Sequence, residues 1–120
     1  GARAYLGIQT AGFPNLFMMY GPNTNLGHNS IVLMSEAQAG YIRQAIEYTR
    51  QAGHKCVEVK PEIESAYNDE IQARLEKMVW QKIDNSWYKD GARITNNWPG
   101  SVMEYQRRTR YFVPENNKYA

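Results

Sequence analysis

Phe13-Pro-Asn-Leu-Phe-Met-Met-Tyr-Gly-Pro-Asn-Thr-Asn-Leu-Gly-His-Asn-Ser30 is the stretch on which the reading of this chain turns. A continuous apolar run, Leu16 to Tyr20, stops at Gly21-Pro22, passes through a loop of small and amide side chains, and feeds a helical pattern that starts near Ser30. An apolar run of this length between turn residues predicts a strand buried on both faces, as in parallel sheets covered by helices. Such sheets place ligands at the carboxyl ends of their strands. Gly21 lets backbone come close to a bound group, Pro22 stiffens the loop, and amide N–H groups at the start of the next helix favour oxygen-rich or anionic groups. The stretch is therefore expected to be strand, loop and helix, and half of a ligand site. An ordinary strand-to-helix connection is the alternative, because one such unit has many uses.

Upstream, residues 3–12 alternate in part and predict a short strand or extended arm ending at Gly12. Downstream, Ile31, Met34, Ala37, Tyr41, Ile42, Ala45, Ile46 and Thr49 recur at the spacing of an amphipathic helix. Asn29 or Ser30 can cap its first turn and Gly53 can close its end. Lys55–Lys60 alternates with Val57 and Val59 on one face, an edge-strand pattern. Pro61 opens a second helix with Glu62 and Glu64 in its first turn and a buried stripe of Ile63, Tyr67, Ile71, Leu75 and Met78 or Val79. Asp90-Gly91 is a hairpin turn signal between Trp87-Tyr88-Lys89 and Ala92–Thr95. Ser101 and Glu104 have capping-box spacing for a short helix through about Arg110, and the tail beyond Pro114 is expected to fray.

At 120 residues, with 42% apolar and 22% charged residues, the composition suits one soluble domain with a modest core. No apolar run approaches a membrane span and no leader pattern is present, so neither a membrane nor export is predicted and the cytoplasm is the expected compartment. Cys56 is the only cysteine, which excludes an internal disulfide. A net charge of +2 gives no argument for nucleic acid. Arg107, Arg108 and Arg110 cluster with Tyr105 and Tyr111, which reads as a solvated helix face ahead of a phosphate patch. The sequence does not begin with Met and enters its first apolar residues without a lead-in element, which predicts a piece of a longer protein.

His28, His54 and Cys56 lack the paired spacing of a metal site, and Cys56 reads as a small buried hydrophobe. No nucleophile motif, catalytic carboxylate pair or phosphate-binding glycine loop is present, and Gly7, Gly12 and Gly21 do not make the dinucleotide fingerprint. Any catalysis must therefore involve chemistry supplied from elsewhere. Trp80, on the second helix, divides evenly between a core residue and a groove lining, whereas Trp87 and Trp98 flank the hairpin and are the better candidates to line a groove for a flat ligand.

Gly12 to Ser30, the long helix after it, Ser86-Trp-Tyr-Lys-Asp-Gly91 and Asn97-Trp-Pro-Gly-Ser101 together resemble the carboxyl-terminal part of flavin-dependent monooxygenases, the Baeyer–Villiger type above all. The resemblance covers most of the chain, in order. It implies an α+β fragment: strand, loop and helix from the end of an FAD/NAD(P)-binding domain of the glutathione-reductase type, then edge strand, second helix, hairpin and short C-terminal helix. Residues 1–120 would form a single C-terminal fragment of an enzyme in which NADPH reduces FAD and one oxygen atom of O₂ enters a ketone or a soft nucleophile. Gly21, Pro22, Asn23 and Thr24 would pass along the flavin, with backbone amides contacting the ring or ribityl chain, and Trp87 would approach NADP and substrate. Leu26, Asn29 and Ser30 would lie on the substrate side. The family's FAD and NADPH glycine motifs belong to segments that this sequence lacks, so the fragment alone is expected to be inactive. Its partners would be the N-terminal FAD and NADPH domains and a small organic substrate. Lacking neighbours for a buried strand, it is also expected to self-associate or rearrange. A standalone binding module with a Trp-lined groove is the alternative.

Overall fold

The computed structural model describes residues 3–25, 31–81, 89, 90, 93, 94 and 98–120. Its largest elements are two helices of equal length, α1 (Ile31–Gln51) and α2 (Pro61–Gln81), joined by a three-residue strand β1 (Val57–Val59). The two-residue strands β2 (Lys89–Asp90) and β3 (Arg93–Ile94) follow, then α3 (Val102–Thr109), a 3₁₀ turn at Pro114–Asn116 and strand β4 (Asn117–Tyr119). This is a small α+β arrangement in which α3 packs on α1 and β4 pairs with β1.

Helix ends follow their sequence signals. At the end of α1, Gly53 at φ +81° donates its N–H to Arg50 O at 3.0 Å and His54 N–H reaches Thr49 O at 2.9 Å, the two bonds of a Schellman cap. Ser101 Oγ accepts the Glu104 N–H at 3.0 Å and starts α3, while the Glu104 side chain is drawn away to Arg74. β2 pairs antiparallel with β3, Asp90 opposite Arg93, as the hairpin signal predicted; the two connecting residues lie outside the described ones.

The core is built from the inner faces of all three helices and the first strand-like turn: Leu6, Ile8, Met34, Tyr41, Ile71, Trp98 and Tyr105 among them. The buried line of α1 is Met34, Gln38, Tyr41, Ala45 and Thr49. Ile31 and Ile46, expected in that stripe, are instead exposed, and so is Met78 of α2.

Larger expectations are corrected as well. Leu16–Tyr20 is not a strand buried on both faces: it forms no regular strand, Leu16, Met19 and Tyr20 are exposed, and Tyr20 sits at φ +58°. Its one strand-like bond is Met18 N–H to Ile8 O at 2.7 Å, so among the described residues it has no flanking strands to form a sheet. Residues 3–12 are not a simple arm. Leu6 and Gly7 both take positive φ, Ile8 N–H bonds Tyr5 O at 3.0 Å, and Tyr5 bridges Gln9, which makes a tight turn of the primed kind.

The tail beyond Pro114 does not fray. Ala120 O accepts the N–H groups of Lys55 and Cys56, β4 lies in register with β1 (Val57 opposite Tyr119), and the Tyr119 ring stacks on His54 at 4.9 Å. The other edge of β1 is closed by Asn15, whose N–H and side-chain oxygen bond the Val57 carbonyl and N–H, each at 2.9 Å. Cys56, expected to be buried, is half-buried at this edge.

Trp98 also departs from its expectation. It does not line a groove: it is 2% exposed, lies edge-on to Tyr105, and donates its indole N–H to Ser101 O at 2.9 Å. Trp87 and the side chain of Trp80 lie outside the described residues.

Candidate functional site

The residues that carry the sequence prediction meet in the loop 21–25, which rests on the Leu6–Gly7 turn. Gly21 N–H donates to Gly7 O at 3.2 Å. Neither glycine has room for a side chain: a Cβ on Gly7 would stand 2.1 Å from Thr24 Cγ2, and one on Gly21 would stand 2.4 Å from Gly7 O. Two backbones therefore touch where only glycines allow it. The Thr24 hydroxyl donates to Gly21 O at 2.7 Å and closes the loop on itself. Asn23 and Thr24 are both buried, and Asn23 sits at φ +59°, a conformation that asparagine tolerates better than most side chains. At the far end Trp98 N–H donates to Asn25 O at 2.9 Å and the Tyr20 hydroxyl donates to Asn25 Oδ1 at 2.8 Å.

Gly21 and Pro22 remain half-exposed while the side chains of Asn23 and Thr24 are taken up inside. The loop thus turns main chain, and no bulky side chain, toward anything bound outside it. Such a surface allows a flat group to come close, although the Gly21 N–H is already given to Gly7 O and Pro22 has none. Of the predicted site residues, Gly21, Pro22, Asn23 and Thr24 come together here, whereas Leu26, Asn29, Ser30 and Trp87 lie outside the described residues.

Behind the loop stands a residue the sequence reading passed over. Gln38, fully buried on α1, accepts the Tyr20 N–H at 2.9 Å and donates to the Tyr105 hydroxyl at 3.1 Å; that hydroxyl in turn donates to Leu6 O. Its signal was positional: 34, 38, 41 and 45 share one helix face, and an amide on an otherwise apolar face must find partners inside. A second buried chain joins Tyr41, Gln9 and Asn117. Burial pushes the hydroxyls of Tyr41 and Tyr105 well above the ordinary tyrosine value, so both stay protonated donors.

In the arginine cluster Arg107, Arg110 and Tyr111 are exposed, as a solvated face has them, whereas Arg108 is engaged. Arg108 forks onto Glu70 with both N–O distances 2.9 Å, and Arg74 forks onto Glu104 at 2.7 and 2.9 Å. Both guanidiniums lie over the Trp98 ring and Arg108 also lies over Tyr67. Hydrogen bonding from Arg74 holds the Glu104 carboxyl below the usual range. Tyr105 of the same cluster faces the core.

Two open clefts lie against α1, one of about 460 Å³ beside Met19, Ile42 and Ile46 and one of about 250 Å³ beside Phe17, Thr49 and His54. Neither reaches the loop. Among the described residues no group of three His, Cys, Asp or Glu is placed to hold a metal, and no helix is long and apolar enough to cross a membrane.

No protein-family model matches the chain. It is 42% identical over 113 residues to the FAD-binding monooxygenase ktnD of Aspergillus niger, a match covering 89% of this chain and 19% of that protein. It is 40% identical over 115 residues to a Baeyer–Villiger monooxygenase of Pseudomonas aeruginosa, covering 93% of this chain and 22% of that protein. A solved structure of oxidised steroid monooxygenase bound to NADP superposes with a TM-score of 0.77 at 29% identity, over 99% of this chain and 23% of that one. The OTEMO complex with FAD and NADP shares the fold with a TM-score of 0.79 at 24% identity, over 100% of this chain and 23% of that one. The chain spans about a fifth of the length of the curated relatives it matches. In sequence over some nine-tenths of its length, and in fold over nearly all of it, it belongs with the flavin-dependent monooxygenases, relatives named Baeyer–Villiger enzymes among them.

Proposed function

We propose that residues 1–120 are the carboxyl-terminal segment of a cytoplasmic FAD- and NADPH-dependent monooxygenase that inserts one oxygen atom from O₂ into a ketone or a soft nucleophile. The observation that carries this reading is the likeness to monooxygenases over some nine-tenths of the chain, together with a loop at Gly21–Thr24 that leaves Gly21 and Pro22 half-exposed. Bound FAD, once reduced by NADPH, supplies the activation of O₂. This segment contributes shape and orientation. Gly21, Pro22, Asn23 and Thr24 border the flavin through main-chain atoms, with the inward side chains of Asn23 and Thr24 holding the loop. Leu26, Asn29 and Ser30 face the substrate, and Trp87 reaches toward NADP and substrate. The Gly21–Thr24 loop and α1 come from the end of a glutathione-reductase-type domain, and the rest of that domain covers the exposed residues of Leu16–Tyr20 and the outer side of α1. Without that cover the isolated chain self-associates.

The test is the full-length protein that carries this segment. It is expected to purify yellow, to release FAD on denaturation, and to oxidise NADPH faster when a ketone or sulfide is added; the 120-residue chain alone is expected to oxidise none. A full-length protein that binds no flavin overturns the reading.

A further inference from the structure

Two bulky residues occupy the left-handed backbone region at adjacent points of the fold: Leu6 at φ +56° and Tyr20 at φ +58°. Neither is a glycine, so neither conformation is one the residue adopts freely, and such conformations persist only where surroundings hold them. Each immediately precedes one of the two glycines whose backbones meet, Gly7 and Gly21. Both are held from the same buried amide. Gln38 Oε1 accepts the Tyr20 N–H at 2.9 Å, and Gln38 Nε2 donates at 3.1 Å to Tyr105, whose hydroxyl donates to the Leu6 carbonyl. The amide orientation follows from its partners, since only its oxygen can receive an N–H.

We infer that Gln38 is a positioning residue for the Gly21–Thr24 loop, setting the direction in which that loop presents its backbone to the flavin. This inference rests on the function proposed above for the loop. A helix of 21 residues is a rigid mount, and a fully buried side chain on it transmits that rigidity to the chain just before Gly21. If the bond is lost, the Tyr20 N–H is left without its partner and the left-handed turn loses the contact that opposes its relaxation. The effect is then felt at the loop before it is felt in the core.

The experiment compares Gln38→Leu, Gln38→Glu and Tyr41→Phe in the full-length protein. Amide exchange of Tyr20, the visible spectrum of bound flavin and retention of FAD on dilution are each read. Gln38→Leu removes the acceptor, and is expected to speed Tyr20 exchange and weaken FAD retention by about tenfold each, a change the size of one hydrogen bond, and to shift the flavin absorption band. Gln38→Glu, read at a pH low enough to keep its buried carboxyl protonated, keeps an acceptor for the Tyr20 N–H and a donor for the Tyr105 hydroxyl, and is expected to restore all three. Tyr41→Phe removes a buried hydroxyl from the same helix face, where it bonds Gln9 and not the loop; it is expected to lower thermal stability and leave the flavin band in place.

A purely structural role predicts that the flavin readouts follow thermal stability across the three variants, and that result overturns the inference. So does fast Tyr20 exchange in the unsubstituted protein, which decides the matter even if Gln38→Leu fails to fold. Should the unsubstituted protein hold no flavin, the proposed function falls, while the exchange contrast between Gln38→Leu and Gln38→Glu still reports whether Gln38 fixes the loop.

Discussion

Along α1 the inward face meets Met34, Gln38, Tyr41, Ala45 and Thr49 with the turn at Leu6, the Tyr20–Thr24 loop and α3, and even its polar atoms have partners. Away from that line α1 carries further apolar side chains, Ile31, Val32, Leu33 and Ile46, and Met19 lies beside Ile46; yet these stay 42–65% exposed. The two faces differ less in hydrophobicity than in what lies against them. One is a finished interior, closed to the point that a methyl group does not fit. The other has the composition of an interior and the exposure of a surface, a condition that marks a contact site more often than a stable free surface.

The sharpest way to break the comparison is to overfill the finished side. Gly7→Ala places a Cβ 2.1 Å from Thr24 Cγ2, a buried side chain with nowhere to retreat, and does so at φ +70°. Steric overlap and backbone strain act together, so the substitution is expected to cost about 3 kcal/mol in urea unfolding. A loss below about 1 kcal/mol would mean that the loop and the turn move apart easily and that the inner side is softer than its contacts imply.

Alkaline pH tests the same side more gently. Burial raises Tyr41, Tyr67 and Tyr105, and raises Tyr119 to about 12, against an ordinary tyrosine value of about 10. The unfolded chain therefore gives up these protons at a lower pH than the folded one. Stability is expected to be fully present below about pH 10 and to fall steadily as pH rises through the folded values, because the native state then binds more protons than the unfolded. The urea midpoint followed from about pH 9 to about pH 12 should decline; a flat profile would show the tyrosines to be open to water.

Sequence alone reached the parts of this contrast that are local. The Schellman end at Gly53, the Ser101 cap, the Pro61 start of α2 and the hairpin between β2 and β3 each depend on residues a few positions apart. The Gly21-Pro22 loop was legible for the same reason. What failed to show was decided by long-range contact. Leu16–Tyr20 has the composition of a buried strand, but burial depends on neighbours, and among the described residues no strand lies beside it: Met18 N–H reaches Ile8 O, and Gly21 N–H just beyond reaches Gly7 O. The polar tail looked free because nothing in it signals that residues 117–119 will find Val57–Val59 some sixty positions earlier. Trp98 looked like a ligand platform because aromaticity does not distinguish a groove from a core. Gln38 was hidden by a habit of reading helix faces through apolar residues alone.

The smallest expected effect is also the one that tells the two faces apart. Met19 and Ile46, 47% and 44% exposed, border the larger cleft. Met19→Lys together with Ile46→Glu should change the stability of the 120-residue chain by less than about 0.5 kcal/mol, since neither side chain leaves a sealed environment. The pair carries opposite charges, so net charge is unchanged and any change in association reflects lost apolar contact. Light scattering at rising concentration should then show the substituted chain remaining monomeric where the original associates. In the full-length protein the order of effects should reverse: if the outer face docks against the rest of the enzyme, the same two substitutions place charges in a closed interface and lower thermal stability well beyond their effect on the segment. Equal, small effects in both would show that this face meets water in the complete protein, and that its apolar residues serve no contact there.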